Sequence, residues 1–199
     1  IAALGGKGLL RGGGIGFPAL EAAREIGRQR PRRRHHDAGR RDVESALDRA
    51  LGPRLADHPG ESGLMLVEDN LHAFALRALS ARNAGRSLDL QYYYWKDDLT
   101  GSLLGREVLA AADRGVRVRL LLDDINTRMG DRTYVALDSH PNIEVRLFNP
   151  SLSRASSFKR GIELALRAFR ATRRMHNKAW IVDGRLAVVG GRNIGDAYF

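Results

Sequence analysis

The sequence predicts an α/β domain with a mainly parallel, mixed sheet that is flanked by helices. Three apolar segments at 87–94, 116–122 and 143–148 have the composition of strands, and they alternate with helical patterns at 101–114 and 132–139. Strands and helices that alternate along a chain form right-handed crossovers, which place successive strands parallel. We therefore expect these strands to form one sheet with the helices packed on it.

Two helices are predicted before the first strand. Residues 43–51 and 68–84 are both typical of helices, and the second has apolar residues at helical spacing. We expect that side of the second helix to pack against the domain. It comprises Leu71, Phe74, Ala75 and Leu79.

The first strand is rich in aromatic residues, and the helix after it has a continuous apolar side. We interpret Tyr92–Trp95 as core packing, with contact to an acyl chain as the alternative. Gly115 is expected to end the helix at 101–114, because glycine favours the position just beyond a helix. The apolar side of that helix comprises Leu103, Leu104, Val108, Leu109 and Ala112.

Acidic residues close the second strand. Asp123 and Asp124 are explained by an ordinary turn after the strand, and a role in lining a cleft at the carboxyl edge of the sheet is the alternative. After the third strand, residues 156–174 predict a basic amphipathic helix. It either packs on the domain with a solvated basic face or meets anionic lipid headgroups.

The charge of the chain lies mostly in a tail. Residues 1–41 contain ten of the 33 basic and three of the 23 acidic residues, and therefore carry +7 of the formal net charge of +10. We interpret 1–41 as a disordered or non-native basic tail and 42–199 as the domain. The 199 residues include no cysteine, which excludes disulfides, thiolate nucleophiles and zinc–thiolate sites. No run of about 18 apolar residues is present, so no membrane-spanning helix is predicted.

A hairpin is predicted at the C-terminal end, where two apolar runs flank Asp183-Gly184. This dipeptide favours a two-residue turn because both positions accept positive φ. Such a turn pairs Val182 with Arg185, and continued pairing sets Lys178 opposite Val189 and His176 opposite Gly191. Side chains alternate along a strand, so His176, Lys178, Gly191 and Asn193 are expected to share one face.

This set of side chains suits phosphoryl transfer. A neutral imidazole at His176 can attack phosphorus and form a covalent phosphohistidine. Lys178 and Asn193 can donate hydrogen bonds to the non-bridging oxygens, and the bare Gly191 leaves room for a phosphate. No carboxylate cluster suggests a metal, and no cofactor is expected.

The pattern resembles the signature of the phospholipase D superfamily. It reads His176-x-Lys178-x4-Asp183-x6-Gly190-Gly191-x-Asn193, with Gly191 where many members have serine. Further segments are similar to its bacterial cardiolipin synthase branch, and the resemblance covers roughly 44–199. These segments are Gln91–Trp95, Leu121–Asp124, Phe148–Pro150 and Arg192–Asp196.

The resemblance implies a role for each motif residue. His176 would be the nucleophile or general acid, and Lys178 and Asn193 the phosphate ligands. Asp183, placed in the turn by our pairing, is interpreted as structural, together with Gly184 and Gly190. Asp196 is interpreted as a surface residue, with orientation of an imidazole as the alternative.

Members of this superfamily need two such histidines, one to attack and one to protonate the leaving alcohol, whereas this sequence has one signature. The first residue is Ile and the last, Phe199, follows the motif closely. We therefore expect the chain to be the first phospholipase D-like domain of a longer protein, with the second domain in cis; a homodimer partner is the alternative.

The resemblance implies phosphatidyl transfer of the cardiolipin synthase type, with phosphatidylglycerol as donor. Two alternatives remain open: a phospholipase D or metal-independent nuclease, and a non-catalytic module that binds anionic membranes. The implied partners are a phospholipid substrate and an anionic membrane surface, with nucleic acid disfavoured. The implied location is peripheral, on the bacterial inner membrane or its cytoplasmic face.

Overall fold

Helices and strands alternate along residues 44–124, 131–150 and 173–199, which are the residues described by this computed structural model. The predicted tail 1–41 lies outside them, as does the predicted basic helix 156–174 except for its last two residues. The elements are α1 (Ala46–Ala56), α2 (Asn70–Arg82), β1 (Ser87–Tyr92), α3 (Leu99–Asp113), β2 (Arg117–Asp123), α4 (Asp131–Ser139), β3 (Ile143–Phe148), β4 (Ala179–Val182), β5 (Leu186–Val189) and a 3₁₀ helix at Asp196–Tyr198.

The five strands form one mixed sheet in the order β3-β2-β1-β4-β5. β1, β2 and β3 run parallel, because α3 and α4 provide the crossovers between them. β4 is antiparallel to β1, and β5 returns antiparallel to β4. The predicted α/β architecture, with a mixed sheet flanked by helices, is confirmed.

The core lies between the sheet and the helices. Every second side chain of β1 and β2 is buried, because alternate residues of a strand point to the same face. On β4, Trp180 and Val182 are fully buried, and α2 packs over this strand. The buried strand residues of this face are Leu88, Leu90, Tyr92, Val118, Leu120, Leu122, Trp180 and Val182.

The predicted apolar side of α2 is wrong in part. Leu71 is 71% exposed and Leu79 is 53% exposed, whereas Arg77 and Ser80 are buried. These polar side chains can face the core because each has a partner: Arg77 Nε donates to the Tyr92 hydroxyl (3.1 Å), and Ser80 Oγ accepts from the indole N–H of Trp180 (3.0 Å). Small residues on the same side let the helix approach the sheet. They are Ala73, Ala78 and Ala81.

The hairpin is present, but its predicted register is wrong by one residue. Asp183 and Gly184 both have positive φ (55° and 66°), and the Arg185 N–H donates to the Val182 carbonyl, as a tight turn requires. The ladder nevertheless pairs Val182 with Leu186 and ends with Ala179 opposite Val189.

The extra loop residue of the hairpin has partners outside the sheet. Arg185 stays out of the ladder and its Nε donates to Asp48 of α1 (2.7 Å). The predicted pairs of Lys178 with Val189 and of His176 with Gly191 are therefore absent, and both motif residues precede β4.

Across the described ranges, none of the helices combines the length and apolar character that a bilayer crossing requires. The sheet edge at β5 carries an exposed apolar residue, Val189, which is 70% exposed.

Candidate active site

The segment that carries the motif is fixed to the carboxyl end of β2. Asp123 is the last residue of β2 and is fully buried. One of its carboxylate oxygens accepts from the Met175 N–H (2.8 Å), and the other lies 3.5 Å from the guanidinium of Arg174. This buried carboxylate therefore holds the chain immediately before His176.

Tyr93 contacts both His176 and Lys178, the first two residues of the motif. Its ring lies 5.1 Å from the His176 ring, centroid to centroid, and 5.5 Å from Lys178 Nζ. Lys178 Nζ also donates to the His176 carbonyl (2.8 Å). The imidazole is exposed, whereas Lys178 is only 6% exposed, and burial lowers the pKa of its ammonium. The site thus presents an accessible imidazole beside a sheltered cation.

Asn193 lies in a neighbouring segment. Residues 94–96 and 194 form a short parallel bridge, in which the Ile194 N–H donates to the Tyr94 carbonyl (3.1 Å) and the Lys96 N–H donates to the Ile194 carbonyl (2.9 Å). This bridge brings Asn193 beside the chain that follows Tyr93. Asn193 is 5% exposed, and its Nδ2 donates to the Tyr198 hydroxyl (3.0 Å). Its Oδ1 is buried and has no partner among the described residues.

Asp183 lies at the other end of the sheet. Its carboxylate accepts from the N–H groups of Gly85, Arg86 and Ser87, at 2.7–2.9 Å. These amides begin β1, whereas Tyr93 follows the end of β1, so the length of that strand, about 20 Å, separates Asp183 from the imidazole.

The glycines of the motif lie at the surface. Gly184, Gly190 and Gly191 are exposed, and a Cβ added at any of them would meet nothing within 4 Å. Gly184 and Gly190 have positive φ (66° and 152°), which glycine adopts at no steric cost.

Asp196 contacts α3, and no imidazole of the described part of the chain is among its hydrogen-bond partners. Its Oδ1 accepts from the Thr100 N–H (2.8 Å), and its own N–H donates to Asp98, the N-cap of that helix. The hydrogen bond from Thr100 lowers the pKa of the exposed Asp196 carboxyl. Both carboxylates thus lie at the positive end of the helix dipole.

Sequence reasoning missed Tyr93, Tyr198 and the anchoring role of Asp123. Tyr93 and Asp123 follow or end neighbouring parallel strands, and the carboxyl ends of such strands meet at one edge of a sheet. That rule could have drawn attention to both, whereas Tyr198 carries no such signal. Within the described ranges, no group of His, Asp and Glu side chains could hold a metal ion.

Comparisons with known proteins show the family of the chain. The profile of the family described as "Cardiolipin synthase, PLD-like domain" matches residues 80–199. Cardiolipin synthase C of Escherichia coli (strain K12) is 53% identical over 153 residues, which cover 77% of this chain and 32% of that protein. A cardiolipin synthase of Halalkalibacterium halodurans is 27% identical over 150 residues, which cover 74% of this chain and 28% of that protein.

Among solved structures, NucT from Helicobacter pylori aligns with a TM-score of 0.48 and 18% identity, covering 68% of this chain and 75% of that chain.

The present chain spans about a third of the length of the curated cardiolipin synthases that it matches. Residues 80–199, which match the family profile, include the motif, the whole sheet and Tyr93, the tyrosine that contacts the histidine and lysine of the motif. The chain belongs to the family of the PLD-like domain of cardiolipin synthases.

Proposed function

We propose that this chain supplies one half of the active site of a phosphatidyltransferase of the cardiolipin synthase type, with phosphatidylglycerol as donor. The observation that carries the proposal is the exposed imidazole of His176, packed on Tyr93 beside the buried ammonium of Lys178. An accessible nucleophile next to a sheltered cation is suited to attack on an anionic phosphodiester. The family membership of the chain supports the same reaction class.

The reaction proceeds in two displacements at phosphorus. A neutral ring nitrogen of His176 attacks, an N–P bond forms, and the bond to the leaving glycerol oxygen breaks as that oxygen takes a proton from a second histidine. An acceptor hydroxyl then gives its proton to the second histidine and attacks phosphorus. The N–P bond breaks and His176 returns to its neutral form.

Lys178 and Asn193 hold the phosphate in this scheme. Among the described residues, only the His176 carbonyl accepts a hydrogen bond from Lys178, which has three donors. Asn193 would turn its amide by 180°, so that the Tyr198 hydroxyl donates to Oδ1 and Nδ2 occupies the place where Oδ1 now has no partner. This rotation both satisfies the buried oxygen and frees a donor for the phosphate.

The remaining motif residues shape the backbone and the space around the site. Asp183 holds the amides that begin β1, while Gly184 and Gly190 supply the positive φ angles on either side of β5. Gly191 leaves open space beside the motif.

The second histidine comes from a second PLD-like domain in cis, because the sequence has a single signature; a second copy of this chain is the alternative. We place 42–199 as the first domain and 1–41 as a basic tail. The partners are a phospholipid and an anionic membrane surface, and the protein works peripherally at the bacterial inner membrane.

The test uses the protein expressed from the complete open reading frame and phosphatidylglycerol labelled with ³²P. His176→Ala is expected to lower cardiolipin formation by about 10³-fold or more, because it removes the nucleophile or general acid. His58→Ala is the matched control, since that histidine is exposed and its ion-pair partner is the exposed Glu61 (3.3 Å).

The products separate the alternatives. An alkali-stable, acid-labile ³²P label on the protein supports the phosphohistidine. Formation of phosphatidic acid alone would assign the protein to the hydrolases. Full cardiolipin synthesis by His176→Ala would contradict the proposal, as would robust turnover by a monomer of the 199-residue chain, which supplies one histidine of the pair.

A further inference from the structure

A cleft opens between α3 and α4, beside the turn that carries Trp95 and Lys96. It opens to solvent, and its lining comes from α3, α4, β2 and that turn. The walls are almost entirely apolar, and three exposed charged residues lie among the lining residues: the cations Lys96 and Arg106 and the anion Asp97. The apolar lining includes Trp95, Leu109, Leu120, Tyr134 and Leu137.

The cleft is kept open by a glycine within a helix. Gly105 lies in the middle of α3, where glycine is less favourable than every residue except proline. A Cβ at this position would meet nothing within 4 Å, so packing among the described residues does not require glycine there. Gly101, one turn earlier, differs because its Cβ would come within 1.8 Å of the Lys96 carbonyl oxygen. A larger side chain at Gly105 would enter the cleft.

The cleft is close to the candidate active site. Tyr93 packs on His176, and Trp95, two residues later, lines the cleft. Two residues of extended chain span about 7 Å at most. Trp95 also packs against the buried Trp180, with ring centroids 6.3 Å apart, so the wall nearest the site is fixed to the core.

We propose that this cleft takes one acyl chain of the phospholipid whose phosphate lies at His176 and Lys178. The inference rests on the proposed function and adds to it where a substrate chain is held. In a phospholipid, the ester groups that carry the acyl chains are only a few bonds from phosphorus. With the phosphate at His176, an acyl chain would therefore start within reach of Trp95, which is two residues from Tyr93 and lines the cleft. The apolar walls suit the chain. Lys96 and Arg106, against the one carboxylate of Asp97, leave the lining with a net positive charge, which suits the anionic headgroup region.

Gly105→Leu tests the proposal. The matched control is Ala110→Leu, an exposed position of the same helix that does not line the cleft. The substrates are long-chain phosphatidylglycerol in detergent micelles and water-soluble dibutyryl phosphatidylglycerol, given to the protein from the complete open reading frame. Gly105→Leu is expected to lower kcat/KM about tenfold for the long-chain substrate, the loss of roughly two buried methylene groups, and less than twofold for the short-chain one. Ala110→Leu is expected to stay within twofold of wild type on both.

Equal losses on both substrates, or no loss on the long-chain substrate, would overturn the proposal. Circular dichroism of both variants guards against a folding defect. A second readout does not need turnover: phosphatidylglycerol brominated along its chains should quench the fluorescence of Trp95 in wild type and His176→Ala, less in Gly105→Leu, and mostly not in Trp95→Phe.

The two proposals can fail separately. Normal cardiolipin synthesis together with equal quenching in wild type and Gly105→Leu removes the acyl-chain proposal alone. Quenching that is lost in Gly105→Leu, without any phospholipid turnover in wild type, removes the proposed function while the cleft still holds a chain. Absence of quenching in wild type and in His176→Ala would show that no acyl chain lies beside Trp95, and would overturn the inference.

Discussion

At the scale of single residues, Asp183 is a charged side chain whose contacts are internal. Its two carboxylate oxygens accept from three consecutive backbone N–H groups at 85–87, and the residue is 7% exposed. Hydrogen bonds to a charged acceptor are about twice as strong as neutral ones, and amides left unpaired in a buried place are costly. Asp183 therefore joins the hairpin turn to the start of β1.

Replacing this carboxylate should cost stability in a graded way. Asp183→Ala leaves three amides without their acceptor and is expected to lower the free energy of unfolding by about 3 kcal/mol. Asp183→Asn keeps one acceptor oxygen and is expected to lose about half as much. Urea unfolding measures both. Unchanged midpoints in the alanine variant would show that the amides at 85–87 find other acceptors.

The residues around the imidazole were only partly predictable. His176 and Lys178 were predicted from the sequence to share one side, and both lie against Tyr93, although they precede β4 and the predicted strand pairing is absent. Tyr93 itself was not found, because its role depends on β4 lying beside β1, a pairing of segments about 90 residues apart. Position 198 is similar: its hydroxyl meets Asn193 only through the 3₁₀ helix at the end of the described chain.

At the scale of elements, α3 contains two glycines that have opposite reasons to be there. Gly101 lies against the Lys96 carbonyl oxygen, where no side chain fits, whereas Gly105 faces open space. The same substitution at these two positions should therefore have opposite effects on stability.

Gly101→Ala is expected to lower the free energy of unfolding by about 1–3 kcal/mol, since the helix or the 95–97 turn must shift. Gly105→Ala is expected to raise it by about 0.5–1 kcal/mol, because alanine loses less entropy in a helix. Thermal and urea unfolding of the two variants, side by side, provide the measurement. A stabilising effect at position 101 would contradict the close approach.

Helices and strands were predicted well where the periodic pattern is strong, and poorly where polar residues face the core. In α2 the pattern of leucines pointed to the wrong side, because Arg77 and Ser80 are buried through bonds to Tyr92 and Trp180. The turn at Asp183-Gly184 was found from the dipeptide, but the register was not. It depends on Arg185 reaching Asp48, a residue 137 positions earlier in the chain.

At the scale of the whole molecule, Asp48 connects three distant parts of the chain. It belongs to the capping box of α1, forms a salt bridge with Arg86 just before β1, and accepts from Arg185 in the hairpin. The hydrogen bond from Arg86 is the main reason that the pKa of Asp48 lies well below its ordinary value of 3.8.

This carboxyl should make the protein sensitive to acid. Because its folded pKa is depressed, the unfolded chain binds the proton more readily, and the stability that Asp48 contributes above its unfolded pKa is lost as pH falls through and below about 4. Asp48→Asn is expected to be less stable at neutral pH, and to show a slope of unfolding free energy against pH that is smaller by up to about 1.4 kcal/mol per unit below pH 3.8.

Urea titrations between pH 6 and pH 3 compare the two slopes, with Asp57→Asn as control because that side chain is exposed at the end of α1. A slope in Asp48→Asn equal to that of wild type would contradict the assigned ion pairs. The sequence alone does not reveal this cluster, because its members come together only when α1, β1 and the hairpin are in place.

The hydrogen bonds of Asp183 also explain why the motif has a fixed number of residues between its histidine and its aspartate. His176 and Asp183 lie beyond opposite ends of β4, and β4 pairs with β1. The amides at the start of β1 donate to Asp183, and Tyr93, which packs on His176, follows the end of β1. The seven-residue separation of His176 and Asp183 is therefore fixed by the length of β1. One residue more in β4 would turn Trp180 out of the core, and two more would carry the carboxylate about 7 Å past the amides that it binds.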